Sequence, residues 1–104
     1  MHIIIWRFIP QTGREAEFVS HYATGGAWDL LFRNSPGFLG TELLRPTAHD
    51  RAWVTIDRWR SEEAFAAFLR EQHEAYAELD EHCETLTSEE VRVGIFSAAA
   101  PLQR

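Results

Sequence analysis

The first apolar block, His2 to Ile9 (HIIIWRFI), is rich in β-branched and aromatic residues and is stopped by Pro10. It predicts a buried first strand. Thr12-Gly13-Arg14-Glu15 fits a capping box, with Thr12 capping a helix and Glu15 reaching back. That helix carries Phe18, Val19, Tyr22 and Ala23 on one stripe. Gly25-Gly26 interrupts it, and a short second piece places Trp28, Leu31 and Phe32 on one side before Asn34-Ser35-Pro36-Gly37 turns the chain. Phe38 to Arg45 predicts a second strand, Pro46 to Asp50 a hairpin loop, and Arg51 to Trp59 a third strand. Ser61 caps the next helix, which has Glu62 and Glu63 in its first turn and Ala64, Phe65, Phe68 and Leu69 as its apolar stripe. A further helical stretch aligns Tyr76, Leu79, Cys83 and Leu86. Glu90 to Phe96 predicts the last strand, and 98–104 a loose tail.

The order is β-α-β-β-α-β, the α+β, ferredoxin-like plan with an antiparallel four-stranded sheet, here a single domain over 1–97. Strand parity adds a second expectation. In strand three Ala52, Val54 and Ile56 point one way, while Trp53, Thr55, Asp57 and Trp59 point the other. Strand one divides into Ile3/Ile5/Ile9 and Ile4/Trp6/Phe8. Helices cover one face, so the second apolar face predicts a homodimer packed sheet against sheet.

Composition narrows the function. An apolar share of 45% with 12% aromatic residues suffices for a packed core and argues against disorder. A net charge of −6 argues against nucleic acid as a partner, because phosphate binding needs a basic footprint. Of the 16 acids, 11 lie between Asp57 and Glu90, which predicts a solvated acidic helix face. All ten cations are arginines, and the missing lysine removes Schiff-base and phosphate-loop chemistry. The lone Cys83 forms no internal disulfide and fits a reducing cytoplasm. No apolar run approaches the roughly 18 residues of a membrane span, and MHIIIWRFI has neither a basic lead nor a cleavage site, so no membrane partner is expected. G-x-S-x-G, G-x-G-x-x-G, C-x-x-C and H-E-x-x-H are all missing.

The run YATGGAWDLLFRNSPGFLGTELL, a hairpin and then IDRWRSEEAFAAF resembles the antibiotic biosynthesis monooxygenase domains of the dimeric α/β-barrel superfamily. The similarity spans roughly residues 2–97 and speaks for the fold more than for the reaction. It implies oxidation of aromatic polyketides by molecular oxygen with no metal or flavin, or, in a neighbouring branch, haem degradation. The quinone-forming branch places a Trp at the end of strand three, matched by Trp59. Its Asn four residues earlier and Tyr six residues later stand here as Thr55 and Phe65. The haem branch's Asn, Trp and His fall nearest to Trp6 or Arg7, Phe68 and Glu78, and the chain's single Asn is Asn34. One marker of the first branch survives and none of the second.

Cofactor-free oxygenation needs aromatic walls, a base that favours the substrate enolate, and shelter from water. Trp59, Trp28, Tyr22, Phe65 and Phe68 are candidate walls, although each is also explained as core. Thr55 and Asp57 place polar groups on the helix-covered face. There an unpartnered group costs roughly 1–3 kcal/mol, so each is paired, near a rim or facing a cavity. Asp57 is a candidate base, or else an ion-pair partner of Arg7, Arg58 or Arg60. His73 is a second candidate base, or else an exposed helical histidine between Glu71 and Glu74. Glu78 and His82 are spaced i, i+4 but lack a third ligand, so no metal is expected, and no cofactor. His21 and His49 have no recognisable partner in the sequence. The reading is a cofactor-independent monooxygenase of a small phenolic or polyketide-like aromatic. The alternative is a non-catalytic dimer that binds such a ligand, with haem degradation third.

Overall fold

The computed structural model describes residues 1–47 and 49–99. Ala48 in the expected hairpin loop, and 100–104 of the expected tail, lie outside the described residues. The chain runs β1 (His2–Pro10), α1 (Glu15–Tyr22), α2 (Ala27–Phe32), β2 (Phe38–Leu44), β3 (Trp53–Trp59), α3 (Glu62–Glu71), α4 (His73–Glu84) and β4 (Thr87–Phe96). The strands form one antiparallel sheet in the order β2-β3-β1-β4. This is the ferredoxin-like α+β fold, with each helical crossover split into a pair of helices.

Parity sorts the sheet as the alternation predicts. Along β3, Trp53, Thr55, Asp57 and Trp59 are all buried, while Val54, Ile56 and Arg58 between them are half-buried. Register then assigns the neighbours: Ile4 and Trp6 pair with Asp57 and Thr55, and Thr41 lies opposite Asp57. The core is aromatic and sits between this face and the helices, around Phe8, Phe18, Phe32, Trp59 and Phe68. The other face carries Ile3, Ile5, Val54 and Ile56 at its centre, with exposed Leu44, Val91 and Phe96 around them. No helix among the described residues is long and apolar enough to cross a membrane.

Two helix starts behave differently. Ser61 caps α3 as expected, its hydroxyl accepting from the Ala64 N–H at 3.1 Å. Thr12 does not cap α1. Gly13, at φ +84°, turns the chain after Thr12, so the helix begins at Glu15 behind Arg14 without a side-chain cap. Glu15 does reach back, but its Oε1 accepts the Gly13 N–H at 2.8 Å and not that of Thr12, so no capping box forms.

The Gly25-Gly26 pair sets α2 in place. Gly25 needs φ +85°, and a Cβ on Gly26 would meet the Ser20 carbonyl oxygen at 2.6 Å. The resulting turn lets Gly25 N–H donate to Asp29 Oδ2 at 2.6 Å, while Arg33 Nη2 donates to the same oxygen at 2.7 Å. Asp29 is thereby buried with its carboxylate fully engaged, and Trp28 and Phe32 are aimed inward. Strand four is longer than its apolar part suggested, because Thr87, Ser88 and Glu89 continue the ladder to Pro10 and Ile9.

Candidate functional site

Between the inner sheet face and the helices lies a cavity of about 340 Å³. Every strand and every helix supplies part of its wall. The sheet contributes Ile4, Trp6 and Phe8 from β1, Thr41 from β2, and Thr55 and Asp57 from β3. Tyr22, Trp28, Phe65 and Tyr76 close it from the four helices. The rings brace one another, with centroids 4.7 Å apart for Phe8 and Tyr22 and 5.2 Å for Trp28 and Tyr76. Such walls suit a flat aromatic ligand. The β4 and α4 side is charged, with Glu90, Arg92 and Asp80.

Asp57 is the distinctive group. It is buried, and Thr41 Oγ1 donates to its Oδ1 at 2.5 Å. The three arginines considered as its partners are elsewhere: Arg7 pairs with Glu89 and Arg58 with Glu42, both on the far face, and Arg60 is exposed past the end of β3. Among the described residues no cation pairs with Asp57, so the ion-pair reading is corrected. Arg7 and Arg58 have the wrong strand parity, because neighbours on a strand point to opposite faces. Burial pushes the Asp57 carboxyl up to about 6, against the pull of the Thr41 hydroxyl and with a further push from Asp29. A carboxylate poised near neutrality in an apolar cavity has the properties of a general base.

The other candidates divide. Thr55, Trp28, Tyr22 and Phe65 line the cavity with Asp57. Trp59 and Phe68 are completely buried and stand behind the lining, Trp59 packed between Phe32, Phe38, Phe65 and Phe68. Trp59 therefore backs Phe65, and its indole N–H has no partner among the described residues. His73 is exposed at the start of α4, its Nδ1 3.2 Å from the Arg70 carbonyl, and it lies outside the lining. Its acid-flanked, exposed reading holds. Burial, followed by the charges of Asp80, Glu90 and Asp57, raises the Tyr76 phenol, and burial likewise raises Tyr22. Both phenols stay protonated and can donate a hydrogen bond to a ligand oxygen.

Sequence reasoning missed Thr41, Trp6, Tyr76 and the charged rim as wall residues. Trp6 was accessible from parity, since it shares a face with Ile4 and Phe8. Thr41 required the β2–β3 register, which a bulge between Phe38 and Gly40 shifts by one residue.

Residues 1–79 match the family described as antibiotic biosynthesis monooxygenase. A haem oxygenase (mycobilin-producing) of Mycobacterium tuberculosis is 49% identical over 35 residues, 34% of this chain and 33% of that protein. The match thus spans about a third of that curated relative's length. Among solved structures, SnoaB, a cofactor-independent oxygenase from Streptomyces nogalater, is similar with a TM-score of 0.69 and 22% identity, over 99% of this chain and 97% of that one. A monooxygenase from the gene ActVA-Orf6 of Streptomyces coelicolor, in complex with nanaomycin D, is similar with a TM-score of 0.74 and 20% identity, over 99% and 91%. At such identities the two structures speak for the fold. The family match over three quarters of the chain decides more: this protein belongs to the antibiotic biosynthesis monooxygenase family.

Proposed function

We propose that this chain is a cofactor-independent oxygenase of a small phenolic or polyketide-like aromatic, with Asp57 as its base. The observation that carries this reading is a buried carboxylate with no cation beside it among the described residues, held by one hydroxyl at the wall of an aromatic cavity. Asp57 takes a proton from an anthrone-like carbon or phenol, and the enolate passes one electron to O₂. The radical pair joins as a peroxide, and loss of water leaves the quinone. Asp57 returns its proton to the distal peroxide oxygen and then takes the second proton of that ring carbon as the O–O bond breaks. The carbonyl forms and the departing hydroxide is protonated, so that anthrone plus O₂ gives quinone plus water. Trp28, Tyr22 and Phe65 hold the ring, Tyr76 or Tyr22 donates to its oxygen, and Thr55 is a second polar anchor beside Asp57. The similar structures, an oxygenase without cofactor and a monooxygenase holding nanaomycin D, support this class of substrate. The test is an oxygen electrode with chelator-treated protein and a model anthrone: one O₂ consumed per quinone formed supports it. Saturable quenching of tryptophan fluorescence with no uptake would make the chain a binding module.

The local identity to a haem oxygenase favours a second reading, with haem as substrate. The cavity wall does not fit it. None of the five histidines lines the cavity, and both lining tyrosines have raised phenol pKa values, which disfavours phenolate ligation of iron. Three lining acids, Asp57, Asp80 and Glu90, would also oppose the propionates against the single lining cation Arg92. Haem titration is expected to give no shifted Soret band. A sharp, saturating band would transfer the activity to haem.

The same proposal includes a homodimer, a single domain over 1–97 and a cytoplasmic setting, the last consistent with the free, buried Cys83. The apolar outer face of the sheet, around Ile3, Ile5, Val54 and Ile56, supports pairing of two copies through that face. Sedimentation at micromolar concentration should give twice the 12.0 kDa chain mass, and a monomer there would refute the pairing.

A further inference from the structure

Away from the cavity, α1 and α4 meet at a cluster that neither helix makes alone. Glu17 and His21 are spaced i, i+4 on α1 and so share one face. His82, near the end of α4, comes up against them. One ligand atom from each of the three lies within 4.8 Å of the others. The two imidazoles are 5.0 Å apart between centroids, and His82 Nε2 is 3.4 Å from Glu17 Oε2.

The surroundings prepare these atoms for a cation. Both hydrogen bonds of His21 use Nδ1, which lies 2.9 Å from the Glu17 carbonyl oxygen and 3.2 Å from Ser20 Oγ. A carbonyl only accepts, so Nδ1 is the donor, which in the neutral ring leaves Nε2 as the nitrogen available to a metal. The Arg14 guanidinium holds Glu17 Oε1 at 2.7 Å, which orients the carboxylate and leaves Oε2 towards His82. A simple Glu17–His82 ion pair would explain His82 but gives His21 no role.

We propose that Glu17, His21 and His82 form a site for one divalent first-row transition ion of the Zn²⁺ type, which staples α1 to α4. Two imidazoles and one carboxylate suit Zn²⁺ and leave a fourth position for water, whereas Mg²⁺ and Ca²⁺ favour oxygen sets. The residues that follow the two histidines, Tyr22 and Cys83, are buried, and Tyr22 lines the cavity. A bound ion would therefore stiffen the α1 and α4 walls without entering the cavity, and the inference stands apart from the proposed reaction.

The test is calorimetric and thermal titration of the chelator-stripped chain with zinc sulfate. The expected result is one ion per chain and a Tm rise of about 5 °C or more with Zn²⁺ at about 100 times its Kd. His21→Ala and His82→Ala should each abolish both signals, whereas His73→Ala should keep them. Co²⁺ in place of Zn²⁺ should give visible d–d bands without thiolate charge transfer, which separates this site from one at Cys83. Absence of a Zn²⁺ response, or the same response in both histidine variants, would overturn the proposal.

Discussion

Asp57→Asn is expected to lower oxygen uptake by roughly 10²–10⁴-fold, the usual worth of a positioned general base. The wild-type rate should rise with pH along a limb centred near 6, where burial places the Asp57 carboxyl, and level off above it. In the variant this limb should vanish. Stability should move the other way. The Asp57 pKa is raised from 3.8 to about 6 on folding, so the native state binds more protons between those values. Stability is then fully present below the unfolded value and is lost as pH rises through about 6. Above that limb the buried charge costs about 3 kcal/mol, which the neutral amide avoids. The amide leaves its own N–H groups short of partners, which returns part of the gain. At pH 7.5 the variant should melt no lower than the wild type, and at pH 4 the advantage should disappear. A catalytic loss accompanied by a lower Tm at pH 7.5 would instead mean that Asp57 holds the sheet together.

Trp59→Ala is expected to be the most destabilising single change. The indole is completely buried, with ring centroids of Phe32, Phe38, Phe65 and Phe68 each between 5.1 and 5.4 Å from its own. Truncation leaves a large void among rings that cannot close over it, which costs about 3–5 kcal/mol. The melting temperature should fall by about 15 °C or more for a domain of this size. Trp59→Phe should be far milder, because it keeps one ring in place and removes an indole N–H without a partner among the described residues. Thermal denaturation followed by circular dichroism checks both. If Trp59→Ala melted within about 2 °C of the wild type yet lost ligand quenching, Trp59 would be a wall of the site and not its support.

The same tryptophan marks where the sequence stops informing. Alternation in β3 is sufficient to put Trp53, Thr55, Asp57 and Trp59 on the covered face, since only that face is packed by helices. Whether a covered aromatic touches core or cavity depends on how far each helix stands from the sheet, and no local pattern encodes that. Phe65 and Phe68 share one stripe of α3, yet Phe65 reaches the cavity and Phe68 does not. The partner of Asp57 divides in the same way. Parity excludes Arg7 and Arg58, but choosing Thr41 needs a register shifted by a bulge. The cluster of Glu17, His21 and His82 joins positions more than sixty residues apart. The i, i+4 spacing pairs His82 with Glu78 on its own helix, whereas the fold brings it against Glu17 and His21 of α1.

The central claim is that the cavity binds an aromatic and Asp57 removes its proton. The most direct measurement compares wild type and Asp57→Asn, both chelator-treated and both saturated with the same anthrone as judged by tryptophan quenching, in one oxygen electrode. The account predicts saturable quenching in both proteins and oxygen uptake in the wild type alone. Equal uptake in the two proteins would contradict it.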